Sequence, residues 1–123
     1  MKMENPLEPA GRAALAASRE MLALEPEEKA QALRLMAAGV RNAAEKIIRE
    51  NVLDMEEARK SGRNSAFLDR LLLTPDRVEH MACGIEQVAA LPDPVGECIR
   101  EWTRPNGLRI RQVRVPLGVI GLI

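Results

Sequence analysis

The sequence holds 123 residues with 18 basic and 18 acidic side chains, a length that suits one modest domain able to bury a core without metal or disulfide support. The zero formal charge leaves no basic excess to neutralise a phosphate backbone or an acidic membrane surface, so neither nucleic acid nor membrane is an expected partner. No stretch approaches the roughly 20 apolar residues of a membrane helix, and the opening MKMENPLEPA lacks the apolar region of a signal peptide, which together point to the cytoplasm.

In chain order, the Ala-rich segment from Pro9 to about Leu24 has high helix propensity apart from Gly11, and Pro26 marks a new start. The second helix opens with Glu27 and Glu28, which suit the positive end of a helix dipole, and carries Ala30, Leu33, Ala37 and Val40 on one stripe. A third helical stretch runs from Arg41 to a C-terminal glycine cap at Gly62. It places Ala44, Ile47, Ile48, Asn51 and Met55 on one side. A helix start is written most clearly at Thr74-Pro75-Asp76: an N-cap hydroxyl, a proline at the first helical position and an acid in the first turn. Val78, Met81, Ala82, Ile85, Val88 and Ala89 then fall in one narrow arc, and Pro92 ends the helix. With Phe67 and Trp102 the only aromatic residues, a core must be built from Ala, Leu, Ile, Val and Met, which favours closely packed helices.

Beyond Pro92 the period changes. Gly96 to Thr103 and Leu108 to Val115 flank Arg104-Pro105-Asn106-Gly107 and predict an antiparallel hairpin, because Asn and Gly both tolerate positive φ. Neither face of that ribbon is cleanly apolar, and a lone two-stranded ribbon is marginal in water, so it needs something to dock on. The final run, Val115 to Ile123, is rich in Val and Ile. It reads as a strand buried on both faces inside a parallel sheet. Parallel neighbours arrive only through long crossovers, so this strand is expected to be an orphaned interior element.

Several residues look chemical. Asp76, His80 and Cys83 share one helix face, where a carboxylate orienting an imidazole and an imidazole activating a thiol are conceivable. The plainer reading is a solvated face, since an exposed helix supplies neither oxyanion site nor cleft. Cys98 reads as a small apolar filler in a strand, and the two cysteines lack the short spacing of a zinc site, so free thiols and no metal ligands are expected. Asn51 on an apolar stripe is a possible ligand contact. A buried amide bonding neighbouring backbone at a helix kink is the simpler account. Arg104, Arg109, Arg111 and Arg114 are candidate phosphate contacts, but with Glu97 and Glu101 on the facing strand, cross-strand ion pairing is simpler. Gly118 and Gly121 do not have the spacing of a dinucleotide loop.

Four strings in order, FLDRLLLTPDRV (67–78), LPDPVGE (91–97), WTRPNGLRI (102–110) and VRVPLGVIGLI (113–123), closely resemble the gamma-glutamyl phosphate reductases, also called glutamate-5-semialdehyde dehydrogenases, of the aldehyde dehydrogenase superfamily. The likeness runs from about Glu28 to Ile123 and covers the family's N-terminal portion only. The resemblance implies an incomplete α/β fold: an N-terminal helical region over 1–92, a hairpin of the oligomerisation type over 93–115, and over 116–123 the truncated first strand of a Rossmann-like cofactor-binding domain. It implies a homo-oligomer assembled through the 97–114 hairpin. It further implies, for the whole enzyme, NADPH-dependent reduction of L-glutamate 5-phosphate to the semialdehyde and phosphate in proline biosynthesis. The family's catalytic cysteine, which attacks the acyl phosphate, lies far downstream; neither Cys83 nor Cys98 matches it. No catalytic, cofactor-binding or metal residue is therefore carried over, and the chain by itself is expected to be inactive. The alternatives are a stand-alone, non-catalytic helical interaction module, or a piece of another superfamily member.

Overall fold

The computed structural model describes residues 7–122; residues 1–6 of the expected helical region and Ile123 of the expected terminal strand lie outside the described residues. Five α-helices precede one hairpin: α1 (Leu7–Glu20), α2 (Pro26–Asn42), α3 (Ala44–Lys60), α4 (Ser65–Leu71), α5 (Pro75–Ala89), then β1 (Cys98–Thr103) and β2 (Arg109–Val113). The chain divides into two compact units, Glu27–Leu91 and a second drawn from Met1–Pro26 and Pro92–Ile123.

In the Glu27–Leu91 unit each predicted stripe contributes buried residues, joined by Ala58, which lay on none of them. Ala37, Met55, Ala58, Val78, Ala82 and Ala89 form its core, and α3 packs against both α4 and α5. Four of those six are alanines, so the helices meet through small side chains, as the near-absence of aromatic residues requires. Val78, almost wholly enclosed, contributes on the order of 2 kcal/mol by leaving water. Met81 and Val88, at the flanks of the same arc, stay half exposed.

The helix ends follow their sequence signals. Thr74 caps α5 by accepting from the Arg77 N–H, with Pro75 in the first turn. Asn64 caps α4 in the same way through the Phe67 N–H. At the end of α3, Gly62 takes φ +68°; its N–H bonds the Arg59 carbonyl at 3.0 Å and that of Arg63 bonds the Ala58 carbonyl at 3.1 Å, a Schellman pair that only a residue without Cβ enters cheaply. Two boundaries differ from expectation. The break between α2 and α3 falls at Ala43 rather than before Arg41, and the Ala43 and Ile47 amides still bond backwards along the helix, so the junction is a bend of one residue. The seven-residue α4 is a helix that the periodicity did not predict.

In the second unit, α1 is followed by a short 3-10 turn, Met21–Ala23, which ends where Leu24 turns extended ahead of Pro26. The hairpin pairs Trp102 with Ile110 and Thr103 with Arg109, with a bulge between Cys98 and Arg100. Its turn departs from the expected form in which both Asn106 and Gly107 take positive φ. Gly107 alone does, at φ +85°, because Pro105 fixes the first turn residue at negative φ. The loop is a three-residue connection closed by the Arg104 N–H to the Leu108 carbonyl at 2.9 Å.

The expected terminal strand is not formed: residues 114–122 are irregular, and Leu117 and Leu122 are 88% and 94% exposed. A strand exists only through a ladder to a neighbour, and beyond β1 and β2 no other strand occurs among the described residues.

The two glycine classes predict opposite responses. Neither Gly62 nor Gly39, inside α2, has an atom near an added Cβ, so backbone terms alone decide. Gly62→Ala should lower the unfolding free energy by about 1–2 kcal/mol, and Gly39→Ala should raise it by about 0.5–1 kcal/mol, both read from urea melts followed by helical circular dichroism.

Candidate functional site

Asn51 is 5% exposed, and both ends of its amide are engaged. Its Nδ2 donates to the Leu71 carbonyl at 2.9 Å and its Oδ1 accepts from the Leu73 N–H at 2.7 Å. The amide thus bonds backbone, as the simpler sequence account held, but across the fold rather than at a kink in its own helix. It clamps the connection between α4 and α5 onto α3. Arg77, in the first turn of α5, secures the same connection: its guanidinium donates to the Leu72 carbonyl at 2.8 Å, to the Asp69 carbonyl, and to the Asp69 carboxylate at 2.9 Å. With one donor and one acceptor of its amide committed to backbone, Asn51 acts here as a clamp between α3 and the α4–α5 connection.

The face of α5 that carries Asp76, His80 and Cys83 is organised by a residue of another helix. Arg41, near the end of α2, donates from Nε to both carboxylate oxygens of Glu79 at 3.0 Å, and from Nη2 to Glu86 at 2.8 Å. Cys83 lies between these two acids, with its thiol 3.3 Å from Glu79 Oε1 and Arg41 Nη2 3.7 Å from the sulfur. The thiol therefore pairs with Glu79 and Arg41, not with His80. Hydrogen bonds from Arg41 hold the Glu79 carboxyl down to about 2 and lower that of Glu86, while the two acids hold the guanidinium more firmly protonated than usual. Cys83 moves the other way: its hydrogen bond to Glu79, then burial, pushes the thiol up. A nucleophilic cysteine needs the opposite shift; the geometry here is that of a tie between α2 and α5.

Sequence spacing put Cys83 on the right face and favoured a solvated face over a thiol activated by His80, without foreseeing Glu79 and Arg41 as its partners. Glu79 and Glu86 sit two helical turns apart beside it, which was a legible signal; the cation joining them comes from far along the chain and leaves no local pattern. Cys98, expected as an apolar filler, is exposed, and its sulfur contacts the Arg100 carbonyl at 3.4 Å. The two thiols are unbridged.

On the hairpin, three of the four candidate arginines, Arg109, Arg111 and Arg114, pair across the strands. Arg109 reaches Glu101, with Nε at 3.1 Å, Arg111 approaches the same carboxylate at 3.7 Å, and Arg114 meets Glu97 at 2.8 Å. Arg100 stacks over Trp102 at 5.0 Å. Trp102 and Ile110, directly opposite, are half-buried, and the rest of the two strands is exposed. Among the described residues no group of His, Cys, Asp and Glu could hold a metal ion, and no helix is long and apolar enough to cross a membrane.

No family model matches the chain. Its homologues are nevertheless clear, and they are reductases. They are gamma-glutamyl phosphate reductases: the protein of that name from Rhodopseudomonas palustris is 52% identical over 113 residues, 92% of this chain and 26% of the relative. That from Geobacillus kaustophilus is 51% identical over 107 residues, 87% of this chain and 26% of the relative. Among solved structures, gamma-glutamyl phosphate reductase from Thermotoga maritima matches with a TM-score of 0.84 at 34% identity, over 91% of this chain and 27% of that one. The Saccharomyces cerevisiae enzyme matches with a TM-score of 0.80 at 27% identity, over 90% and 28%. The helices and two-stranded sheet correspond to the N-terminal part of those structures. The chain spans about a quarter of the length of the curated relatives it matches.

The Arg41 tie carries a signed pH dependence. Glu79 titrates at 4.5 without the fold and at about 2 within it, so the tie's contribution is fully present above roughly pH 4.5 and is lost as pH falls toward 2. Glu79→Gln should lower the urea midpoint of unfolding at neutral pH, and the gap between variant and parent should shrink below pH 4.5, approaching zero near pH 2. A gap that stays constant with pH would show that the ion pair contributes nothing.

Proposed function

We propose that this chain works as the N-terminal portion of a gamma-glutamyl phosphate reductase. The single observation that carries the reading is agreement of sequence and fold over the same stretch: half the residues identical across 92% of the chain and a TM-score of 0.84. The reaction is reduction of the acyl phosphate of L-glutamate 5-phosphate to glutamate 5-semialdehyde, with NADPH as hydride donor and phosphate as leaving group, a step of proline biosynthesis carried out in the cytoplasm.

This chain's part is structural. Residues 1–92 supply helical packing, the 93–115 hairpin supplies an assembly ribbon, and 116–123 supply a strand for a cofactor-binding sheet. A two-stranded ribbon with one half-buried pair is marginal alone, which supports docking of the 97–114 hairpin on a second subunit. No residue of this chain is assigned to the nicotinamide cofactor in this reading; Gly118 and Gly121 lie in an exposed segment and lack the spacing of a dinucleotide loop. Cys83, with its thiol pushed up beside Glu79, is not the nucleophile.

The test compares two proteins. The isolated chain should give no NADPH oxidation with enzymatically generated L-glutamate 5-phosphate, and the product of the whole reading frame carrying this sequence should oxidise NADPH with it. Turnover by the isolated chain would overturn the structural role. A whole product that ignores L-glutamate 5-phosphate yet reduces another acyl donor would move the chain to a different branch of the superfamily.

A further inference from the structure

The hairpin turn holds a chemically labile pair that the proposed function does not use. Asn106 is exposed and precedes Gly107, the neighbour whose missing side chain leaves its amide nitrogen least shielded. In an unconstrained chain that nitrogen gives up its proton to water or hydroxide and attacks the Asn106 Cγ. The new N–Cγ bond forms a succinimide as the Cγ–Nδ2 bond breaks and ammonia leaves. One water molecule then opens either imide C–N bond, giving aspartate or isoaspartate. The balance is asparagine plus water to acid plus ammonia, with no oxidant or reductant.

In the folded turn both groups are occupied. The Gly107 N–H donates to the Arg104 carbonyl at 2.9 Å, so the nucleophilic nitrogen is directed into the loop closure rather than at the side chain. The Asn106 Oδ1 accepts from the Leu108 N–H at 3.2 Å, which holds the amide in an Asx turn. The Arg104 N–H to Leu108 carbonyl bond at 2.9 Å closes the ring around them. Attack requires the first two bonds to be released, and they are released only when the turn opens.

We propose that Asn106 is a site of spontaneous deamidation which the closed hairpin withholds and the open hairpin exposes. The modification is also one-way. Isoaspartate adds a methylene to the backbone between Asn106 and Gly107, so Arg104 and Leu108 no longer face each other at the spacing the closing bond needs. A hairpin that has opened long enough to react and hydrolyse to isoaspartate thus loses its original register.

The experiment holds the full chain in mildly alkaline buffer, natively and in urea, and follows conversion of Asn106 by peptide mapping with mass spectrometry, scoring the amide-to-acid mass gain and isoaspartate. Conversion should be slower in the native chain by roughly tenfold or more, the factor set by the cost of local opening. Trp102→Ser, which removes half of the Trp102–Ile110 pair without touching the turn, should give a rate between the two. Equal rates in buffer and urea, or a faster native rate, would overturn the protection. Failure of Asn106 to react in urea while a free peptide of the same flanking sequence converts would overturn the site itself.

Discussion

A single side-chain amide holds the helical unit in register. The backbone between α4 and α5 has to turn tightly from Leu71 to Thr74, and its N–H and C=O groups leave the helical ladder there. Backbone groups removed from water without partners cost about 1–3 kcal/mol each. Asn51 answers one acceptor and one donor of that turn at once, using separate donor and acceptor atoms, which a carboxylate, an acceptor only, could not do. Arg77 answers the carbonyls of Asp69 and Leu72. With the turn fixed, Thr74 is placed to cap α5, and α5 can set Val78 and Ala82 into the core. The Arg41 tie to Glu79 and Glu86 depends in turn on that placement.

This order explains how much of the molecule was legible in the sequence. The caps were local and were read directly: Thr74-Pro75-Asp76 at the head of α5 and Gly62 at the tail of α3. The core stripe of α5 was legible because an arc of apolar residues at helical spacing has one interpretation in a chain with almost no aromatic residues. The seven-residue α4 was not, since two turns are too short to display a period, although Asn64 had the right chemistry for its cap. Asn51 was visible as a polar residue on an apolar stripe, but its partners lie 20 and 22 residues away in sequence. Spacing rules see one helix at a time. For the same reason the tie of Cys83 to Arg41 and its two acids was not visible, and the face was read simply as solvated.

The terminal run shows the opposite limit. Val115, Leu117, Ile120 and Leu122 have the composition of a strand buried on both faces, and the structure leaves them exposed. Composition reports the surroundings a segment is suited to, whereas strand formation needs a partner ladder. The same contrast runs through the chemistry. Several residues that resembled a site in sequence turned out to be polar ties: an amide on backbone, a thiol beside an arginine between two glutamates, arginines paired across a hairpin. The homologous reductases are about four times as long as the matched stretch, and a scaffolding role for this quarter agrees with where its polar side chains are engaged.

The measurement that goes straight to this account is deuterium exchange at the Leu73 amide. If the Asn51 Oδ1 holds it, exchange should be as slow as that of amides in the middle of α3 and α5, and Asn51→Ala should speed it by about ten- to a hundredfold while leaving the Gly62 and Arg63 cap amides unchanged. Leu73 exchanging at an unprotected rate in the unaltered chain would show that the turn is not clamped, and that the helices are held in place by something else.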